Sequence, residues 1–303
     1  MDRFQRSMFR LHAKNSYLEL KRQEFQAWVG RIFEFGFVGD YLVIRLTQGD
    51  GGLDGIILSQ NAVVAVYAPR STTNSTLRDK IESDFNKALE TVTSHDVQME
   101  KFVFVHNDEG LTKEIGVTLL GLRQSNPDIS CEVWTFESLW RLMESRLSED
   151  QLNDLLGEVP NSQEMARLEM PAIRDVVQHL AAVKADPLPL GDITIPDSKK
   201  LEYNQLNEYN QHILRGGRSK LRKVAQYFDG MTDPTIGEEI AEGFRKKYAA
   251  CRESSISPDE TFETLWDFAG GNHFTVPSQQ AGVTAVISHF FESCDIFENV
   301  PES

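Results

Sequence analysis

Apolar residues in the first half of the chain recur with two periods. Leu18, Leu20, Phe25, Trp28, Val29, Ile32 and Phe33 form a broad stripe near the 3.6-residue period, which predicts a helix over 17–35. Three apolar runs follow, at 41–46, 53–58 and 62–68, and each predicts a strand. The third run is apolar on both faces, as a strand in the middle of a covered sheet is. A polar stretch, RSTTNST, then leads to a helix predicted over 77–93, with Ile81, Phe85, Ala88 and Leu89 facing inward. A strand over 101–107, a helix over 112–122, a strand over 131–136 and a helix over 137–147 complete the pattern. Strands alternating with helices in the order αβββαβαβα imply an α/β layer structure.

The character changes after about residue 149. The segments EVPNSQEM and KADPLPLGDITIPD concentrate turn formers, so 151–200 reads as a linker with little regular structure. From 201 to 303 the pattern is helical. Ser257-Pro258-Asp259-Glu260 has the form of a capping box with proline at the first helical position, and Gly216-Gly217 separates two helical stretches. The chain therefore divides into an α/β domain over 1–150, the linker, and a helical domain over 201–303.

Composition narrows the class. With 303 residues, 40% hydrophobic and 25% charged, the chain can bury two cores. No apolar run reaches the roughly 18 residues of a membrane span. The first residues are basic without an apolar stretch behind them, so no secretory signal is read. Cys131, Cys251 and Cys294 are too scattered for a disulfide framework or a zinc site. These features point to a cytoplasmic protein. The net charge of −15 disfavours a free-standing DNA binder, because phosphate contacts need Lys and Arg. Basic residues cluster at Arg3, Arg6, Arg10, Lys14, Lys21 and Arg22, and again at Arg215, Arg218, Lys220, Arg222 and Lys223, either as solvated surface or as local phosphate contacts.

The most informative stretch is Gly49-Asp50-Gly51-Gly52-Leu53-Asp54-Gly55, set between two strand candidates. Glycines beside an acid let the backbone turn sharply and approach a ligand closely. This pattern resembles the core of the PD-(D/E)xK nuclease superfamily, in particular Mrr-like restriction endonucleases, whose signature reads G-D-x-G-x-D-G before a strand ending in Q-x-K. The resemblance implies a restriction-endonuclease-like fold over 1–150 and phosphodiester hydrolysis assisted by Mg²⁺ or Mn²⁺. Asp54 is then the first metal ligand, and Glu24, on the preceding helix, completes the site. Asp50 is read as shaping the loop through Asx-type bonds, and Glu34 as a lesser alternative to Glu24. An ordinary turn aspartate and an exposed helix glutamate are the competing readings of Asp54 and Glu24. As an acid in a polar turn, Asp54 is expected to contribute little to folding stability.

The chain departs from the signature where Q-x-K should stand, since Ala65-Val66-Tyr67 occupies that position. Ala65 offers no side-chain oxygen. Tyr67 offers a hydrogen bond but no charge, because a phenol is neutral at pH 7. A migrated lysine is the possible rescue: Lys80 on the next helix, four residues before Asp84, with Arg70 a lesser choice. Lys80 and Asp84 could equally form a surface ion pair. The site residues are thus Glu24, Asp54, Tyr67 and Lys80, in either an active nuclease or a catalytically dead fold used for assembly or DNA sensing. His106-Asn107-Asp108 is a polar cluster at a strand end, read as a loop turn.

KVAQYFDGMTDPTIGEEIAEGFRKKYAAC and the short helices after it resemble the C-terminal domains of ABC-three-component antiphage systems. That resemblance implies an effector subunit acting on double-stranded DNA, with an ABC- or SMC-type ATPase and a small middle component as partners. Phe244, Tyr248, Phe262, Trp266, Phe290 and Phe291 either form the core of the helical domain or present aromatic surface to those partners.

Overall fold

A computed structural model describes residues 1–44, 53–70, 73–108, 112–183, 200–293 and 295–298. The chain forms two compact units: His12–Leu156, and a discontinuous unit built from Met1–Leu11 together with Gly157–Ser303. The first helix, α1 (Arg3–Glu19), gives its opening residues to the discontinuous unit and the rest to the other.

The His12–Leu156 unit is α/β with a small mixed sheet. After α1 come α2 (Arg22–Gly36), β1 (Tyr41–Val43), β2 (Gly55–Ile57), β3 (Ala62–Tyr67), α3 (Asn74–Thr93), β4 (Lys101–His106), α4 (Lys113–Ser125), β5 (Ser130–Trp134), α5 (Phe136–Arg146) and α6 (Glu149–Leu156). The five strands lie in sequence order. The pairs β1–β2 and β2–β3 are antiparallel, and β3–β4 and β4–β5 are parallel. Alternation along β3 sends Val63 and Ala65 into a core with Phe102, Phe104 and Cys131, closed by Leu77, Ile81, Phe85 and Ala88 of α3 and Ile115 of α4. Helix α2 packs against β1 and β3, and α5 against β5. There the Phe33 ring meets Trp134 at 5.1 Å and Tyr41 at 5.2 Å.

The single helix expected over 17–35 is two helices. The chain breaks at Leu20–Lys21, and Arg22 takes a left-handed φ of 53°. The sheet holds this break: Arg22 N–H donates to Ala68 O at 2.6 Å, and Asn107 Nδ2 donates to Leu20 O at 2.9 Å. The apolar stripe runs through both helices, so periodicity alone does not show the interruption. Asp50 and the glycines beside it lie outside the described residues.

The discontinuous unit is helical: α7 (Ser162–Ala166), α8 (Met170–Ala182), α9 (Lys200–Tyr203), α10 (Glu208–Arg218), α11 (Leu221–Asp229), α12 (Ile236–Glu253), α13 (Pro258–Phe268) and α14 (Pro277–Glu292). The capping box forms as expected, with Ser257 and Glu260 bonding each other's backbone. Helix α14 is buried along most of its length and packs against α8, α10 and α11.

Two expectations are corrected here, and one open alternative is decided. Residues 151–200 carry most of α6 and all of α7 and α8, rather than little regular structure. Ile173, Val176, Val177 and Leu180 give α8 a buried face at helical spacing, and Pro171 sits in its first turn, where the missing N–H costs nothing. Gly216 and Gly217 lie inside α10 and do not separate helices. Phe244, Phe262, Trp266, Phe290 and Phe291 are all buried, so these rings form the unit's own core and are not a docking surface; Tyr248 alone is half-buried. Part of the second basic cluster is also structural. Lys220 Nζ and Lys223 Nζ donate to the carbonyls of Ala166 and Leu168 at 2.7 and 2.5 Å, where the end of α7 favours cations, and Arg218 pairs with Glu292 at 2.9 Å.

Candidate functional site

The carboxyl ends of the parallel strands β3 and β4 meet the α1–α2 break, and open α/β sheets bind ligands at such ends. Tyr17 adds to the tether, since its hydroxyl donates to His106 O at 2.7 Å and to Asp108 O at 3.0 Å. Beside this point opens a cleft of about 810 Å³. It is lined by Lys21, Arg22, Glu24 and Gln26 at the start of α2, Asp54 before β2, Tyr67 and Arg70 at the end of β3, and Lys80 and Asp84 of α3. Glu24, Asp54, Tyr67 and Lys80 therefore share one cavity, although they come from α2, the residue before β2, the end of β3 and α3. Glu34 is not among the lining residues.

Asp54 is fixed by the backbone of β3. Its N–H donates to Val64 O at 2.8 Å, and its Oδ2 accepts the Val66 N–H at 2.6 Å. Gln26 Nε2 reaches both Asp54 Oδ1, at 3.3 Å, and Val66 O, at 3.2 Å. Strand β2 begins at Gly55, opposite Val64, so Val66 has no β2 residue to pair with. Asp54 and Gln26 take over that pairing, which gives the acid a structural duty its sequence position does not reveal. Gly55 completes the arrangement by close approach: a Cβ there would lie 2.1 Å from the Tyr41 hydroxyl oxygen. Burial, with the charges of Asp54 and Glu34 added, pushes the Tyr41 phenol well above its ordinary pKa.

Tyr67 faces the α3 side of the sheet, where Lys80 Nζ stands 5.7 Å from its ring centroid and 2.7 Å from Asp84 Oδ1. The Asp84 side chain is only 3% exposed and that of Lys80 26%, so the pair is not the surface contact its spacing suggests. Ala65 is buried in the core and lends the cleft no side chain. Glu24 is exposed in the first turn of α2. Arg22, Gln26 and Asp84 are site residues that sequence reasoning did not assign. The four-residue step from Lys80 was the only signal, and it pointed to Asp84 alone.

Among the described residues, no three His, Cys, Asp or Glu side chains are grouped to hold a metal ion. Mg²⁺, however, is often bound through one or two carboxylates, with water and substrate phosphate supplying the other oxygens. Asp54 and Glu24 fit this sparser pattern. The bonds from Val66 N–H and Gln26 Nε2 orient the Asp54 carboxylate, one through each oxygen.

His106, read from the sequence as part of a loop turn, is the last residue of β4, and its burial has a measurable consequence. Desolvation pushes its pKa down to about 4, against the opposing charge of Asp108. Its Nδ1 accepts the Asp108 N–H at 3.1 Å, which puts the ring proton on Nε2. Between pH about 6.5 and about 4 the unfolded chain binds the extra proton and the folded chain does not. Stability from this group is therefore complete above pH about 6.5 and declines by ~2–3 kcal/mol as pH falls toward 4. Urea unfolding at pH 7 and pH 5 should show the decline, and His106→Phe should remove this part of it.

Residues 171–298 match the family model for C-terminal domain 10 of the ABC-three component (ABC-3C) systems. No curated protein and no solved structure matches the chain. Among the described residues no helix is long and apolar enough to cross a membrane.

Proposed function

We propose that the His12–Leu156 unit is a PD-(D/E)xK-like nuclease module, and that the chain is the effector subunit of an ABC-three component antiphage system that cuts double-stranded DNA. The observation that carries this reading is the convergence of Asp54, Glu24 and Lys80 on one cleft from three separate elements. Asp54 and Glu24 would hold Mg²⁺ or Mn²⁺, which polarises the phosphate and lowers the pKa of a water. Lys80 Nζ offsets charge building on the phosphate oxygens, and Tyr67 donates a neutral hydrogen bond beside it. In the reaction a water oxygen bonds to phosphorus as one P–O ester bond breaks. One water proton stays with the new phosphate monoester and the other ends on the leaving hydroxyl.

The family match over 171–298 supports a defence-system role and protein partners, for which an ABC- or SMC-type ATPase and a small middle component are proposed. A net charge of −15 supports the same view, since a more basic partner would help hold DNA. Two observations favour the second reading, a dead fold that senses DNA or organises the complex: the Asp54 carboxylate is bonded to β3, and Tyr67 stands where the resembled signature has a strand lysine.

The chain co-purified with its neighbouring gene products should nick or linearise supercoiled plasmid in Mg²⁺ and ATP, and chelation should stop it. A complex that retains DNA without cutting it in Mg²⁺ or Mn²⁺ would support the second reading and reject the first.

A further inference from the structure

We infer that Asp84 positions Lys80 in the cleft, so that helix α3 supplies the cation that the end of β3 lacks. The inference rests on the nuclease reading above for its chemistry, but not for its geometry.

Asp84 is 2% exposed, and a carboxylate so buried is costly unless it is paired. Its Oδ1 lies 2.7 Å from Lys80 Nζ. In an isolated helix, lysine four residues before an acid is the less favourable order, so helix stability alone gives little reason for this pair. The ammonium also stands over the face of Tyr67, at 5.7 Å, a placement that attracts cations to phenol rings. Two restraints from different elements therefore limit where Nζ can go, while about a quarter of the Lys80 side chain stays open to solvent. Tyr67, which cannot replace a strand lysine as a charge, serves as the platform beneath a lysine from α3. Both Lys80 and Asp84 line the same cleft as Asp54 and Glu24. Asp84 acts through Lys80 and is a positioning residue, not a catalytic one.

The test uses the full chain in its complex and two independent readouts. Acetylation of Lys80 by N-hydroxysuccinimide acetate, mapped by mass spectrometry, reports how firmly Nζ is held. It should be slow in the wild type and several-fold faster in Asp84→Asn, because the reagent attacks a neutral amine and an adjacent carboxylate favours the ammonium. Cleavage kinetics should show kcat down by about tenfold or more in Asp84→Asn, with KM for DNA and Mn²⁺ affinity little changed. A Lys80→Met/Asp84→Leu double variant, which removes both charges of the pair together, should unfold near the wild-type midpoint yet remain as inactive as Lys80→Met. Three results would overturn the inference: unchanged labelling in Asp84→Asn, Mn²⁺ affinity falling along with kcat, or wild-type cleavage by the double variant. The second would make Asp84 a metal ligand, and the third would make the pair purely structural. If the wild-type complex cuts no DNA, the nuclease reading falls, and the labelling alone decides whether Asp84 holds Lys80.

Discussion

In an Asp54→Asn variant, Mg²⁺-dependent DNA cleavage by the complex falls by about two orders of magnitude or more, while unfolding free energy stays within about 1 kcal/mol of wild type. Asparagine keeps an oxygen that can accept the Val66 N–H, which Asp54 Oδ2 now accepts at 2.6 Å, so the edge of β3 stays satisfied. What disappears is the negative charge that a divalent cation needs. Asp54→Ala behaves differently, because it removes the acceptor as well. Val66 is buried, and an orphaned N–H there costs about 1–3 kcal/mol, so the alanine variant loses stability that the sequence alone did not lead one to expect. Plasmid cleavage and urea titration of both variants check the pair. Wild-type cleavage by Asp54→Asn would remove Asp54 from the metal site and with it the active-nuclease reading.

Gly217→Val destabilises the helical unit by about 3 kcal/mol or more, the upper range for overpacking. Helix α10 approaches α14 so closely that a Cβ at Gly217 would lie 2.1 Å from Ser288 Oγ and 2.4 Å from the Thr284 carbonyl oxygen. A rotamer change could relieve the first contact, but the second is backbone and requires the helices to separate. Separation would also break the bond from Ser288 Oγ to Leu214 O, 3.2 Å long and buried. Thermal unfolding followed by circular dichroism should show the helical transition shifted down. A midpoint equal to wild type would mean that the two helices have slack the packing does not suggest.

The order and type of elements in the α/β unit were legible because strands and helices differ in period. Ala62–Tyr67 is apolar on both faces and lies centrally in the sheet, between β2 and β4, as that pattern predicts. The α1–α2 break was not legible, since what fixes it is a pair of bonds, one to the Ala68 carbonyl and one from the Asn107 amide, far along the chain. The helices α7 and α8 were hidden because proline reads as a turn signal whether it ends a segment or opens a helix. At the candidate site, the resemblance to the nuclease signature implied roles for Glu24, Asp54 and Lys80, and all three line one cleft. Spacing could not show that Asp84 is buried, because a four-residue step looks the same on an exposed face and on an inward one. The aromatic count in the last hundred residues was misleading for a related reason. Rings such as Phe244 and Phe290, 4.8 Å apart, pack on one another and need no partner to cover them.

The helical unit draws its first eleven residues from one end of the chain and the remainder from Gly157 onward. During synthesis, Phe4, Met8 and Phe9, all buried in the finished protein, leave the ribosome well before the helices of their own unit exist. At about 5–20 residues per second, the wait for α14 lasts on the order of tens of seconds. The intervening His12–Leu156 segment can complete its own folding in that interval. Residues 1–11 thus gain the partners that bury them only after the helices beyond Gly157 have been made.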